Sequence, residues 1–371
     1  MTEASRLPEG SGPEQARLRP ALRDLTENFS PAYFGMVMAT GIVSLSAHLL
    51  GMRRLAGALF GLNLAAYLLI WLLNVLRICW FRSLVFRDMI DHQRGPGYFT
   101  VVAGSCILGC QFVLIAANYR AALALWILGI VLWLGLTYAI LTAFTIKESK
   151  PSLDEGITGA WLLAVVATQA VAVLSALMSE HWPQPYRLMI NFFALSMWLW
   201  GGMLYIWMIS LIFYRYTFFR FSPGDLAPPY WINMGAMAIS TLAGSRLIAN
   251  APDAWFLESL LPFLKGFTVF YWATGTWWIP MLGILAAWRH IYKRFPLQYD
   301  PLYWGAVFPL GMYAAGTYQM AETMHLDFLS ALPRLFVYVA LAAWMAAFLG
   351  LCRTLTRGLA LLRRQSLHAG G

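Results

Sequence analysis

Long apolar stretches separated by short polar connections make up most of the sequence. A helix needs roughly 20 predominantly apolar residues to cross a bilayer, and about ten stretches of the chain satisfy that requirement. Most of the charged residues lie in the connections or near the two ends of the chain. We predict an all-α polytopic membrane protein with ten transmembrane helices, at residues 31–50, 55–76, 97–117, 121–145, 157–178, 187–213, 229–249, 259–288, 302–322 and 332–353.

An aromatic motif opens every second predicted span. Copies of Pro-x-Tyr-aromatic begin at Pro31, Pro96, Pro228 and Pro301, and a degenerate copy, Thr158-Gly-Ala-Trp, opens the fifth span. Proline suits the first turn of a helix, where its missing N–H would have no partner, and aromatic residues favour the membrane–water boundary. The motif could therefore simply mark where a helix enters the bilayer. Its restriction to alternate spans favours five repeated helical hairpins.

The odd and even spans differ in the side chains that they carry. Odd spans hold many small and polar residues, whereas even spans are bulkier and hold many of the tryptophans. Because polar groups in hydrocarbon are costly unless they face other helices or water, we predict that the odd helices form an inner pore ring. The small residues could equally serve close helix packing. The predicted pore-lining residues with hydroxyl groups are Thr40, Ser44, Ser105, Thr168, Ser240, Thr241 and Thr317.

One position of the repeat contains a single bulky ring. Counted seven residues beyond the start of each motif, the five odd spans carry Met38, Ala103, Val165, Gly235 and Phe308. A narrow pore with one plug would show such a pattern, and Pro309 removes a helical hydrogen bond beside the plug. We predict that these five residues form a pore ring, and that Phe308 and Pro309 form its gate. The alternative is that Phe308 packs against an ordinary proline kink.

Composition and charge narrow the class of protein. Of the 371 residues, 60% are hydrophobic and only 12% are charged, which excludes an ordinary soluble domain. The net charge of +9 could suggest nucleic acid, but the Lys and Arg residues concentrate in the tails and in alternate connections. By the positive-inside rule both termini are then cytoplasmic. We predict a multi-pass protein of the cell inner (plasma) membrane that binds no nucleic acid, with a cytoplasmic N-terminal tail (1–28), a ten-helix domain (29–357) and a cytoplasmic C-terminal tail (358–371).

Few ionisable residues fall within the predicted spans. No acidic ring lies at mid-depth, as a cation filter would require. Arg246 and Glu322 lie near the outer ends of their spans, and we predict that they line the pore or its outer vestibule. Arg246 could instead extend to the interface, or pair with Asp253 or Glu258. With hydroxyl donors and little fixed charge, the predicted lumen would hold anions weakly and release them easily.

The sequence gives little support to an enzyme. All six histidines lie in loops, in the tail or at span ends, so axial haem ligands at mid-membrane are absent. Cys106 and Cys110 share a helix face without a nearby histidine, which disfavours a metal site. Neither a dinucleotide-binding GxGxxG nor a phosphate-binding P-loop occurs. We expect no cofactor, no metal and no catalysis, and a membrane enzyme or scaffold is the least favoured alternative.

Residues 28–44, 271–280 and 299–313 resemble the tellurite-resistance/dicarboxylate transporter family. That family includes yeast malate and sulfite transporters, bacterial tellurite-resistance membrane proteins and plant slow anion channels, and the resemblance extends over residues 28–355. It implies ten helices in five hairpins, a pore through each protomer of a homotrimer, and a phenylalanine gate on the ninth helix. Phe308 occupies the matching position.

These observations together predict an anion channel or transporter in the lipid bilayer. Its expected substrate is a small anion of the C4-dicarboxylate, tellurite, sulfite, halide or nitrate class. No titratable residue lies at mid-span on an odd helix, which favours passive flux. A proton-coupled C4-dicarboxylate (malate) carrier is the alternative, with Glu322 as its coupling residue.

Overall fold

The computed structural model describes residues 29–368 together with Arg23, Thr26 and Glu27, and describes side chains as far as Gly358. Most of the predicted N-terminal tail and the last residues of the predicted C-terminal tail lie outside these described residues.

Ten helices of 16 residues or more make up most of the described chain. They are α1 (Phe34–Leu49), α2 (Arg53–Trp80), α3 (Phe99–Leu114), α4 (Tyr119–Ile146), α5 (Leu163–Ser179), α6 (Tyr186–Phe218), α7 (Ile232–Ala249), α8 (Leu261–Ala287), α9 (Trp304–Met324) and α10 (Ala331–His368). The predicted bounds lie close to these, except that α6 and α10 run further. The predicted boundary between 357 and 358 therefore falls inside a continuous helix.

A side-chain cap precedes three of the odd helices. The Ser30 hydroxyl accepts a hydrogen bond from the Ala32 N–H at 3.2 Å, and an Asp300 carboxylate oxygen accepts one from the Leu302 N–H at 2.7 Å. Thr158 caps in the same way. Each cap is followed by a short 3₁₀ turn that leads into the helix. Capping satisfies donors that a helix start otherwise leaves unpaired.

The five odd helices pack against one another in a closed cycle. α1 contacts α3, α3 contacts α5, α5 contacts α7, α7 contacts α9, and α9 returns to α1. Each even helix packs on the odd helix before it. The most apolar window of the segment that contains α5 is 100% buried, whereas that of α4 is 17% buried. The odd helices therefore lie inside and the even helices outside.

Glycines allow the inner helices to approach closely. A Cβ atom added to Gly235 on α7 would lie 2.7 Å from the Pro309 Cγ atom of α9, and one added to Gly316 on α9 would lie 2.7 Å from the Ala238 carbonyl oxygen of α7. Both distances are too short for a real contact. At these two positions, small residues serve close packing between helices.

Two tyrosines of the repeated motif, Tyr98 and Tyr230, contact arginines at the ends of outer helices. Arg215, near the end of α6, donates to the Tyr230 hydroxyl and to the Ile157 carbonyl. Arg77, near the end of α2, lies beside Tyr98 and donates to Asp88 at 2.5 Å. The motif thus ties one hairpin to the next, in addition to standing at a helix start.

Asp88 lies on the short helix Arg82–Met89, beyond the end of α2. Burial alone would raise its pKa, but hydrogen bonds from Arg77 and Arg94 reverse that effect and hold the pKa below the ordinary aspartate value. The carboxylate is therefore ionised at neutral pH, and it ties Arg77 to the connection that leads into α3.

Seven segments of the described chain are long and apolar enough to cross a membrane. They contain α1 to α6 and α10. Helices α7, α8 and α9 are not among these seven segments. Large apolar side chains are exposed along the even helices, among them Leu68 on α2 and Val131 on α4. The molecule is a polytopic, all-helical membrane protein.

Candidate functional site

A narrow cavity is enclosed by all five inner helices. About 20 Å³ of it is available to the centre of a water molecule, which is room for roughly one water. Its lining comes from α1 (Ile42, Leu45, Leu49), α3 (Ile107, Cys110, Leu114), α5 (Ala170, Val173, Leu177), α7 (Ile239, Leu242, Arg246) and α9 (Met312, Ala315). We call it the central cavity.

The lining residues recur with the spacing of a helix face. On α1, α3 and α7 they lie four, seven and eleven residues beyond Met38, Ala103 and Gly235, and on α9 they lie four and seven residues beyond Phe308. Residues three and four apart lie on one face of a helix. These four predicted ring positions are therefore on the stripe that faces the central cavity, one turn nearer to the helix starts.

Phe308 is not itself among the lining residues, but it lies one helical turn before Met312, which lines the central cavity on α9. Its side chain is completely buried, as are those of Met38 and Ala103. The next residue, Pro309, packs against the bare backbone of Gly235 on the neighbouring inner helix. Helix α9 runs without interruption through the proline.

On α5 the spacing of the cavity-lining residues points to Val166, rather than to the predicted Val165, as the equivalent of the other ring positions. The spacing of four, seven and eleven residues leads to Val166, not to Val165, when it is counted from the cavity-lining residues Ala170, Val173 and Leu177. Thr158 is the cap residue that corresponds to Ser30 and Asp300, so the repeat starts at Gly159. Counting from Thr158 as though it replaced the motif proline shifted the prediction by one residue.

Five of the seven predicted pore-lining hydroxyls hydrogen-bond to outer helices. Tryptophan indoles of outer helices donate to Thr40, Thr168 and Thr317 at 2.8–3.0 Å. Tyr67 of α2 hydrogen-bonds to Ser105 at 2.9 Å, and Ser44 donates to the Ala56 carbonyl of α2 at 2.8 Å.

Ser240 and Thr241 donate to carbonyls one turn earlier on α7 itself. None of the seven hydroxyl residues is among those that line the central cavity. Apart from Arg246, the side chains that line the central cavity are apolar, while five of the seven hydroxyls bond to neighbouring helices, where hydrogen-bond partners are available.

Arg246 is the predicted vestibule residue that does line the central cavity. Its alternative partner Asp253 instead forms a salt bridge with Arg187 at 3.1 Å. The buried Arg246 Nε atom has no hydrogen-bond partner among the described residues. Glu322, by contrast, is exposed in the last turn of α9 and is not part of the cavity lining.

Five helical hairpins around an axial cavity define a membrane transport protein rather than an enzyme. Comparison with known proteins agrees with that class. Residues 28–352 match the family described as SLAC1, voltage-dependent anion channel, and the chain belongs to this family. It is therefore an anion channel or transporter.

Several relatives support the assignment. An uncharacterised transporter of Methanocaldococcus jannaschii is 27% identical over 305 residues, which is 80% of this chain and 84% of the relative. The sulfite efflux pump SSU1 of Arthroderma benhamiae is 24% identical over 370 residues, which is 92% of this chain and 96% of the pump. An uncharacterised membrane protein of Mycobacterium tuberculosis is 38% identical over 170 residues, 45% of this chain and 84% of the relative.

Proposed function

We propose that small anions cross the membrane along the axis of α1, α3, α5, α7 and α9, and that Phe308 and Pro309 form the gate of this passage. One observation carries the proposal. All five inner helices contribute to the central cavity, and the stripe of residues that lines it continues, one turn further, to the completely buried ring of Phe308. Met38, Ala103 and Gly235 occupy the same level on three other inner helices.

The chemistry of Phe308 and Pro309 suits a gate. An aromatic ring can close a narrow apolar passage to water and ions, since hydrophobic constrictions gate by dewetting. A proline lacks the backbone N–H that would bond to the carbonyl one turn earlier, which leaves α9 able to bend at this point. Because Pro309 is in close contact with Gly235, a movement of α9 at this point would act directly on α7.

The passage lies in a membrane domain of ten spans. We assign residues 29–357 to this domain and residues 1–28 and 358–371 to cytoplasmic tails, in the inner (plasma) membrane. The excess of Lys and Arg on one side supports this orientation. We also propose a homotrimer, on the resemblance to the tellurite-resistance/dicarboxylate transporters. We count α7 to α9 among the ten spans because each is long enough to cross a bilayer and packs among the other helices.

Sulfite is a candidate substrate because the sulfite efflux pump SSU1 aligns with 92% of this chain. A C4-dicarboxylate carrier finds less support. Its two carboxylates would need two cationic groups, whereas the central cavity has one, Arg246. Glu322 lies outside the cavity lining, where it cannot exchange protons directly with a substrate held there.

Anion flux through purified protein in liposomes tests the gate. We expect Phe308→Ala to raise the rate of chloride or nitrate flux several-fold, because the substitution removes the ring that closes the passage. Phe34→Ala is the matched control. Phe34 is equally buried on an inner helix, but its ring packs against Tyr67 and Trp71 of α2.

Both substitutions remove a buried phenyl ring and should destabilise the protein to a similar degree. Increased flux in Phe308→Ala with parental flux in Phe34→Ala supports the gate. Equal flux in parent and Phe308→Ala, at equal amounts of folded protein, contradicts it.

A further inference from the structure

Arg246 is the single charged residue among the fourteen that line the central cavity. The other thirteen are apolar side chains, with the Cys110 thiol as the most polar of them. A guanidinium remains charged in any protein environment. The cavity therefore combines apolar walls with one fixed positive charge, at the end that is further from Phe308.

The Arg246 guanidinium has donors to spare. Its Nε atom is inaccessible to solvent and has no hydrogen-bond partner, and within the described part of the chain its side chain forms no salt bridge. A guanidinium carries five N–H donors in a planar fork. A buried donor without a partner is costly, and an anion that reaches Nε from the central cavity would satisfy it.

The nearby carboxylates leave that charge available. Asp253 is held by Arg187 at 3.1 Å. Glu180 follows the last turn of α5, exposed at the surface. Its charge acts on Arg246, but the two side chains do not come within the 4 Å of an ion pair among the described residues.

We propose that Arg246 forms an anion-binding subsite in the central cavity that takes a small monoanion, such as nitrate, chloride or hydrogensulfite. This inference deepens the proposed function, on which it rests, because it assigns a binding residue within the same passage. One guanidinium neutralises one negative charge, and its fork matches two oxygens of an oxyanion. The apolar walls offer no second partner, so the anion is held at one point and can leave.

The same features disfavour a C4-dicarboxylate such as succinate. Its second carboxylate would be desolvated against apolar side chains without a cation, which is strongly unfavourable. The small volume of the central cavity also favours a compact ion over the larger succinate.

Anion binding can be measured separately from transport, by thermal unfolding of the purified full-length protein in detergent. Sodium nitrate would be titrated against sodium gluconate at constant ionic strength, because an ion that binds the folded state raises its melting temperature. For Arg246→Gln we expect the half-maximal nitrate concentration to rise about tenfold, since a unit charge at contact distance is lost. Arg246→Lys, which keeps the charge, should stay within about threefold of the parent.

Arg120→Gln is the control for general surface charge. Arg120 is an exposed cation at the start of α4 and lies outside the cavity lining, so its loss should leave the titration unchanged. Arg246→Met replaces Arg246→Gln if the latter does not give folded protein, and the same rise is expected. Succinate should raise the melting temperature less than nitrate does.

The results separate this inference from the proposed function. An unchanged nitrate titration in Arg246→Gln or Arg246→Met overturns the subsite, even if flux through Phe308→Ala rises as expected. Stabilisation by succinate that matches or exceeds that by nitrate overturns its preference for monoanions. Loss of nitrate binding in the variants, together with no flux in parent or Phe308→Ala, supports the subsite and contradicts the passage.

Discussion

Tryptophans of the outer helices are the hydrogen-bond partners of three hydroxyl groups on the inner helices. Thr168 and Thr40 are polar residues in apolar spans, and such residues face either water or other helices. A lipid-exposed helix reveals its orientation because one face must be apolar, but every side of α5 is covered by protein. The pattern of apolar and polar residues along α5 therefore does not show which face of the helix points to the lumen. In the structure Thr168 accepts from Trp133 and Thr40 accepts from Trp344, so the tryptophans of the even helices were the missing half of the pattern.

A substitution at Thr168 tests this assignment. We expect Thr168→Val to lower the free energy of unfolding by about 1 kcal/mol, the usual range for interhelical hydrogen bonds in membranes being roughly 0.6–2 kcal/mol. Anion selectivity should stay unchanged, because the hydroxyl bonds to α4 and not to the lumen. Thr145→Val is the control, since the exposed Thr145 bonds only within α4. A change in anion selectivity without a loss of stability would indicate that Thr168 lines the pore.

Among the helices, the repeats in the sequence indicate the hairpins and their order, but the start of the repeat on α5 was placed one residue too early. Repetition of Pro-x-Tyr located four odd helices because the proline and aromatic residues mark a helix start. The copy that opens the fifth span has no proline, and its first residue, Thr158, is a cap. Recognition that Ser30, Thr158 and Asp300 are equivalent caps would have given Val166. The signal was present in the residue before the motif, where a hydroxyl or carboxylate precedes the first helical turn.

The contact between α7 and α9 can be tested at Gly235. A methyl group there would meet the stiff Pro309 ring, with its Cβ 2.7 Å from the Pro309 Cγ atom. We expect Gly235→Ala to destabilise the protein by roughly 1–3 kcal/mol, as overpacking does. Gly266→Ala on α8 is the control, because nothing lies within 4 Å of the added Cβ. It should be neutral or slightly stabilising. Equal melting temperatures for the two variants would mean that α7 and α9 are not in close contact at Pro309.

At the scale of the whole molecule, the fold followed from two patterns that the sequence shows directly. Ten apolar stretches and five repeats correspond to the ten long helices of the described chain, and the polarity difference between odd and even spans corresponds to inner and outer positions. The extent of the last helix did not follow, because residues beyond 353 in α10 are polar enough to resemble a tail, yet the helix continues to His368. The central cavity also depends on five separate stretches of sequence, so no local pattern could define it.

Chemical labelling tests the orientation of the whole molecule. With Cys79 and Cys352 changed to Ser, we expect Arg87→Cys and Arg294→Cys to resist a membrane-impermeant maleimide in intact cells and to react after permeabilisation. Arg120→Cys, at the other end of the helices, should react in intact cells. The bias of Lys and Arg along the sequence predicts a cytoplasmic location for positions 87 and 294. Strong labelling of either position from outside would reverse the assigned topology.

We propose that anions pass along the axis of the inner helices and that the ring of Phe308 closes this path. Single-channel recording of purified protein in planar bilayers measures it most directly, because the current through one molecule does not depend on how much protein is inserted. Phe308→Ala should show anion-selective openings with a unitary conductance several-fold above the parent, while Phe34→Ala matches the parent. A unitary conductance and selectivity in Phe308→Ala that equal those of the parent would contradict the account.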